Sequence, residues 1–205
     1  MSKNNLTLTV AQEHWRLFMR RKADKAFPTF ADKIFQRDQY QCQFCGFRAE
    51  EHLDLINVDG NYRNNKAHNL MTACPLCAQC FFIDSVGQGD FGGGTLIYFP
   101  EISQAQLNAL CHFFLYNISA GNQLSSQSKD HYRRLKARSD IVEKRLGQGL
   151  SQPSTYGQML IDSSKDVTGL HKDVCAAVRL LPNLRSFAPM ALAWAQASID
   201  VLASV

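Results

Sequence analysis

The segments QCQFCG (residues 41–46) and ACPLC (residues 73–77) decide the fold of this chain. In each segment, two cysteines are separated by two residues, which places both sulfur atoms on one tight turn. The four cysteines are Cys42, Cys45, Cys74 and Cys77. Two such turns brought together form a tetrahedral shell of four thiolates. The pattern therefore predicts one structural zinc ion with a small module built around it.

The other three cysteines are weaker candidates. Cys80 follows Cys77 with the same spacing, so it offers a fifth sulfur that could replace one of the four ligands. Cys111 and Cys175 lie in apolar helical patterns and are predicted to be buried small hydrophobic residues. Four thiolates leave no open position for water or substrate, so we expect a structural and not a catalytic zinc ion.

Length and composition predict a folded chain. It has 205 residues, of which 45% are hydrophobic, which is enough for one domain or two small ones. The net charge of +4 is well below that of a dedicated nucleic-acid binder and leaves the class of partner open. The polar N-terminus and the lack of a long apolar run predict a cytoplasmic protein without a secretory signal or membrane insertion.

Apolar periodicity separates two regions of the chain. Before residue 100 it predicts short strands at residues 6–10, 54–59 and 95–99, and a helix at residues 29–37. The predicted fold class is α+β. We expect an HNH-like zinc-binding domain at residues 1–100 and a helical domain at residues 101–205.

The second region is predicted to be helical throughout. Ser103 begins a capping box that opens its first helix. A second helix is predicted at residues 128–146, a linker at 147–153, and shorter helices from residue 154 to the end, punctuated by Pro182 and Pro189.

Three segments are similar to the zinc-containing HNH family of ββα-metal endonucleases. They are residues 37–46, 57–65 and 69–77, in the order that the family shows. In that family a histidine at the end of the first strand acts as the general base, and the helix supplies a histidine or asparagine that helps to hold Mg²⁺. The resemblance places Asn57 at the position of the base, and the family's residue directly after the last cysteine is replaced by Ala78.

The asparagine at the base position predicts a protein without catalysis. An amide cannot accept a proton near neutral pH, so Asn57 cannot act as the general base. We expect Asn69 to fix the loop through hydrogen bonds to the backbone. His52 and His68 are nearby histidines that could replace the base from a shifted position. An active metal-dependent nuclease therefore stays open as an alternative, as does a zinc module that binds nucleic acid without cutting it.

Two further patterns have ordinary explanations. The predicted second helix is basic, but it also carries an apolar stripe, so we interpret it as a packed helix with a solvated face. Its basic residues are Lys129, Arg133, Arg134, Lys136, Arg138, Lys144 and Arg145. The glycines at residues 92–94 lack the P-loop pattern and predict a flexible turn, or a place where the backbone of a partner approaches closely.

Segments outside the cysteine module are similar to the DotN (IcmJ) family of the Dot/Icm type IVB secretion system. They include residues 34–38, 77–82, 92–98 and 179–182. The resemblance implies a non-catalytic adaptor subunit of the coupling complex, at the cytoplasmic face of the inner membrane. Its implied partner is the C-terminal tail of the coupling ATPase DotL, with other coupling-complex subunits and effectors bound indirectly. Nucleic acid is not an expected partner.

Overall fold

The computed structural model of the chain describes residues 5–11, 14–162 and 172–203. Within these residues the α-helices are α1 His14–Lys22, α2 Phe27–Arg37, α3 Pro75–Ala78, α4 Gln104–Ala120, α5 Ser125–Ala137, α6 Ser139–Leu146, α7 Pro153–Asp162, α8 Lys172–Ala177 and α9 Leu184–Ala203. The strands are β1 Asp54–Asn57, β2 Leu70–Ala73, β3 Gly94–Tyr98 and β4 Val178–Pro182. Short 3₁₀ turns are Ala67–Asn69, Gln79–Phe81 and Ile83–Ser85. The mixture confirms the α+β fold class.

The first sheet is an antiparallel pair in which Asp54 of β1 lies opposite Ala73 of β2. β1 ends at Asn57, two residues before the predicted end of this strand. The reason is local, because the Gly60 amide donates to the Asn57 carbonyl at 3.0 Å and closes a turn there. Gly60 has a φ of +70°, which glycine adopts without strain.

The second sheet joins β3 to β4, and β4 was not predicted. Leu96 lies opposite Leu180 in this antiparallel pair. The prediction of helix at residues 178–182 was wrong, because a short apolar run fits a buried strand as well as a buried helix. β3 itself is found one residue earlier than predicted. A Cβ atom at Gly94 would lie 2.6 Å from the Leu181 carbonyl oxygen, so glycine permits this close pairing.

Two other predicted elements differ from the structure. Residues 6–10 alternate in burial as expected, but they form no strand, because their backbone partners lie in 3₁₀ turns and not in a second strand. The Thr9 amide donates to the Cys80 carbonyl at 2.9 Å, and the Ile83 amide donates to the Thr9 carbonyl at 3.0 Å. The predicted helix at 128–146 is two helices, α5 and α6. They separate at Arg138, whose carbonyl accepts a hydrogen bond from the Tyr98 amide of β3.

Two helix predictions made from local sequence signals agree with the structure. The predicted helix at 29–37 is confirmed as α2, and the Ser103 capping box is confirmed at the start of α4. The segment at 147–153 is a turn tied to α6, because the Glu143 carboxylate accepts from the Ser151 amide at 2.8 Å. Pro182 ends β4, whereas Pro189 lies inside α9 and does not end it.

The main core draws on both regions of the chain. Its fully buried side chains include Phe82, Ile83, Leu96, Leu107, Leu180 and Phe187. A smaller cluster holds α2 against the first sheet through Ala31, Ile34, Leu55 and Leu70. The division into domains at residue 100 stays a prediction. Within the described part of the chain, no helix combines the length and the apolar character needed to cross a bilayer.

Candidate metal centre

The four predicted ligand cysteines come together at one point. The sulfur atoms of Cys42, Cys45, Cys74 and Cys77 all lie within 4.8 Å of one another, and those of Cys45 and Cys74 are 3.6 Å apart. Tetrahedral zinc with Zn–S bonds of about 2.3 Å requires sulfur separations of about 3.8 Å. The cluster can therefore hold one metal ion with little rearrangement, although the identity of the ion stays a prediction.

The first cysteine pair lies on a turn stabilised by backbone hydrogen bonds. The Cys42 amide donates to the Phe47 carbonyl at 2.7 Å, and the Gly46 amide donates to the Cys42 carbonyl at 2.9 Å. Gly46 has a φ of +81°, so the turn needs a residue that tolerates the left-handed region. The turn holds both cysteines of this pair beside the second pair.

The second pair lies where β2 runs into α3. Cys74 directly precedes the helix, Pro75 occupies its first turn, and the Cys77 amide donates to the Cys74 carbonyl at 3.0 Å. The Gln43 amide donates to the Thr72 carbonyl at 2.9 Å, which joins the first turn to β2 directly. These hydrogen bonds help to bring the two pairs together, and a metal ion bound by all four sulfurs would crosslink them.

Because the cluster is buried, negative charge on its sulfurs is costly unless a cation binds between them. Burial and the neighbouring sulfurs raise the pKa of Cys74 and that of Cys77. The pKa of Cys42 is lowered instead, because the other three cysteines form hydrogen bonds to its sulfur. Several buried thiolates cannot coexist without a positive charge between them, and a divalent ion would supply it as protons are released.

The remaining cysteines lie outside this group of four. The Cys80 thiol contacts the Leu76 carbonyl at 3.5 Å, and burial raises its pKa to about 12, so it is a neutral thiol. Cys111 is fully buried, as predicted, and burial also raises its pKa. Cys175 is half-buried.

Two residues of α4 that were not predicted as site residues contact the cysteine sulfurs. Asn108 donates from Nδ2 to the Cys77 sulfur at 3.2 Å, and His112 Nε2 lies 3.2 Å from the Cys74 sulfur. Both are buried. A sequence signal existed, because these polar residues stand four apart in a largely apolar helix and therefore share one face.

The residue at the proposed base position is enclosed by hydrogen bonds. Asn57 is 2% exposed, and its Oδ1 accepts from Arg21 at 2.6 Å. Its Nδ2 donates to the carbonyls of Asn61 and Asn64 at 3.0 and 2.8 Å. Arg21 also donates to the Leu55 carbonyl at 2.5 Å. Asn57 therefore holds the loop after β1, and the arginine of α1 covers its oxygen.

The other candidate residues near Asn57 are Asn69 and two histidines. Asn69 accepts from the Asp59 amide at 3.1 Å and donates to the Asn64 carbonyl at 2.8 Å, which confirms its predicted role in fixing the loop. His52 and His68 are exposed. Neither is part of the buried network around Asn57 described above.

The basic helix surface is partly neutralised within the chain. Arg133 contacts Asp130, and Arg138 is 2.5 Å from a Glu101 oxygen. The Arg145 guanidinium lies over the Tyr98 ring at 4.4 Å. These contacts agree with the interpretation of an ordinary packed helix.

The glycines at residues 92–94 are held by the chain itself and do not form a flexible turn. The Gly93 amide donates to the Gln79 side chain at 3.0 Å, and the Gly93 carbonyl accepts from the Asn183 amide at 2.8 Å. Gly92 and Gly93 have φ values of +64° and +141°, so the path of the backbone itself calls for glycine. The predicted flexible turn was wrong because distant segments fix it on both sides.

Fold and site together define an α+β protein with a four-cysteine centre that lies next to the first sheet and contacts α4. No protein-family model matches the chain, so the HNH resemblance stays a prediction. The chain is 44% identical to the type 4 apparatus protein DotN of Legionella pneumophila over 198 residues, which cover 97% of this chain and 92% of that protein. It belongs to the DotN family.

Proposed function

We propose that this chain is a non-catalytic adaptor subunit of a type IVB secretion coupling complex. In this role it binds the C-terminal extension of the coupling ATPase DotL at the cytoplasmic face of the inner membrane and supports the recruitment of effectors. The observation that carries the proposal is the 44% identity to a type 4 apparatus protein over 97% of the chain. Identity at this level over almost the whole chain indicates that the two proteins share one architecture.

A structural zinc ion fits the cysteine cluster better than a catalytic one. Cys42, Cys45, Cys74 and Cys77 would complete its coordination shell, and the ion would supply positive charge and a fixed crosslink between the two cysteine turns. Three of these four residues are buried, so water has little access to the ion. The role of the ion in this proposal is to hold the adaptor in shape.

The geometry around Asn57 supports a protein without nuclease activity. A general base must present a free lone pair to water within hydrogen-bond reach. Asn57 has no basic lone pair, and its oxygen is paired with a guanidinium that lies 5.0 Å from the Phe27 ring. Water would have to displace Arg21 before it could reach this position.

We expect neither the wild-type chain nor Asn57→His to nick supercoiled plasmid in the presence of Mg²⁺ or Mn²⁺. Histidine restores the chemical group of the family's base, but Arg21 still covers the position and the substitution breaks three hydrogen bonds of the Asn57 side chain. Plasmid nicking, followed on agarose gels at matched concentrations of folded protein, checks this. Cleavage by the wild-type chain that disappears on mutation of His52 or His68 would contradict the proposal and favour the nuclease alternative.

Co-purification tests the adaptor role. We expect the tagged chain, co-expressed with the C-terminal extension of DotL from the same organism, to retain that extension through affinity and size-exclusion steps in about 0.5 M salt, where electrostatic contacts are strongly screened. The same extension with its sequence scrambled is the matched control. Separate elution of a folded chain and the native extension would contradict the proposal.

A further inference from the structure

A chain of hydrogen bonds runs from the second sheet to the cysteine cluster. The Gln104 side chain donates to the Leu180 carbonyl and accepts from the Leu180 amide, both at 2.8 Å. Gln104 also donates to Asn108 Oδ1 at 2.9 Å. Since that oxygen is used as an acceptor, the Asn108 amide nitrogen is directed at the Leu76 carbonyl at 3.0 Å and the Cys77 sulfur at 3.2 Å. The orientation of the Asn108 donor is thus fixed from β4.

His112 reaches the cluster one helical turn further along α4. Its ring stacks on Phe47 with centroids 3.6 Å apart and an angle of 4° between the planes, and Trp194 packs 5.3 Å away. Within the described residues, Nδ1 is buried without a hydrogen-bond partner, whereas Nε2 lies 3.2 Å from the Cys74 sulfur. A proton on Nδ1 would be buried and unpaired, so the tautomer with its proton on Nε2 is favoured, and in that tautomer the ring donates to sulfur.

Both contacts have the chemistry that a buried zinc–thiolate centre needs. Four thiolates around one Zn²⁺ carry a net charge of −2, and burying such a charge is costly unless donors face it. Hydrogen bonds from outside the coordination shell orient metal ligands and adjust their basicity. Asn108 contacts the sulfur of Cys77, and His112 contacts the sulfur of Cys74.

We propose that Asn108 and His112 are positioning residues of the metal centre, and that their N–H groups stabilise the Cys77 and Cys74 thiolates and fasten α4 to the ion. This inference rests on the proposed zinc site. Its consequence is that metal binding and the packing of α4 against the cysteine module depend on each other. Loss of either hydrogen bond would weaken the metal, and loss of the metal would weaken the contact between α4 and the module.

Three substitutions separate the donors from the packing. Asn108→Leu keeps the volume and removes the donor, His112→Phe keeps the stacking on Phe47 and removes the donor, and His112→Gln returns an amide donor near the Nε2 position. The matched control is Asn117→Leu. Asn117 is 1% exposed on the same helix, and its amide donates to the Phe113 carbonyl at 2.9 Å and not to sulfur.

The measurement is zinc affinity by competition with a chromophoric chelator, together with the absorption spectrum of the Co²⁺-loaded full-length chain. We expect Asn108→Leu and His112→Phe each to raise the zinc Kd by about 10- to 100-fold, the usual effect of removing such a partner. Their sulfur-to-cobalt charge-transfer bands should move to longer wavelength, because a thiolate without its hydrogen bond gives up an electron more easily. Asn117→Leu should change neither quantity, and His112→Gln should recover most of the affinity.

The alternative outcomes are distinct. Wild-type zinc affinity and an unshifted cobalt spectrum in both donor variants would overturn the positioning role and leave the zinc site intact. A wild-type chain that binds neither ion would overturn the zinc site and this role with it. If Asn108→Leu does not fold, the comparison of His112→Phe with His112→Gln decides, since both keep a side chain against Phe47.

Discussion

Cys74→Ser is expected to abolish stoichiometric metal binding and to unfold the cysteine module. Structural zinc contributes on the order of 10–16 kcal/mol of apparent free energy in small modules, which matches or exceeds the roughly 5–15 kcal/mol that stabilises a whole domain. Cys74 is fully buried and connects β2 to α3, and His112 contacts its sulfur, so the loss should extend to α4. Zinc content by inductively coupled plasma mass spectrometry and a thermal melt followed by circular dichroism check this.

Cys111→Ser is the matched control for this variant. Cys111 is equally buried but lies outside the group of four, so the same chemical change should cost only about 1–3 kcal/mol for burying a hydroxyl, with one zinc ion retained per chain. Equal zinc content in Cys74→Ser and Cys111→Ser would refute the assignment of Cys74 as a ligand.

Arg21→Met is expected to lower the free energy of unfolding by about 2–6 kcal/mol, because it removes the donor of two buried oxygens at a cost of about 1–3 kcal/mol for each. The guanidinium donates to Asn57, Asn65 and the Leu55 carbonyl, and methionine leaves buried oxygens without donors. Burial lowers the pKa of Arg21, although it remains far above neutrality because arginine stays protonated in proteins. The effect should therefore be independent of pH between about 5 and 9.

Arg20→Met is the control, because Arg20 is exposed and adjacent on the same helix. Urea denaturation of both variants gives the difference between their free energies of unfolding, when both depend on urea concentration with the same slope. A loss below about 1 kcal/mol in Arg21→Met would show that solvent replaces the guanidinium easily. The position of Asn57 would then be open to water, and the case against a general base there would rest on the asparagine alone.

The parts of the structure that follow from short-range signals were predictable from the sequence. The two cysteine turns need only the spacing of residues 42–45 and 74–77, and the start of α4 needs only the capping box at Ser103 and Gln106. The loop role of Asn69 depends on residues no more than ten positions away. In each case the interaction energy is local, so the pattern that encodes it is local too.

The parts that were missed depend on distant partners. β4 is a strand because Leu180 pairs with Leu96, more than eighty positions earlier, and its apolar run fits helix and strand equally well. α5 and α6 separate because the Arg138 carbonyl meets the Tyr98 amide. The contact of Asn108 with Cys77 crosses 31 positions. Local patterns in a single sequence do not show which distant residues form such pairs.

Contacts between distant residues also distinguish this candidate site from other four-cysteine centres. Cysteine spacing alone predicts a closed zinc knuckle, which many unrelated proteins contain. Asn108 and His112 from α4 contact the cysteine sulfurs and connect the helical region to this centre, whereas Arg21 from α1 separately covers Asn57. A metal ion at this centre would hold separate segments of the chain together.

Calorimetric titration of the purified chain with the C-terminal tail of the coupling ATPase, with bound zinc measured in the same sample, tests the proposed adaptor function. We expect saturable binding by a chain that carries one zinc ion, and loss of binding in Cys74→Ser but not in Cys111→Ser. A folded chain with one zinc ion that gives no heat of binding, and no complex by size exclusion, would contradict the adaptor function.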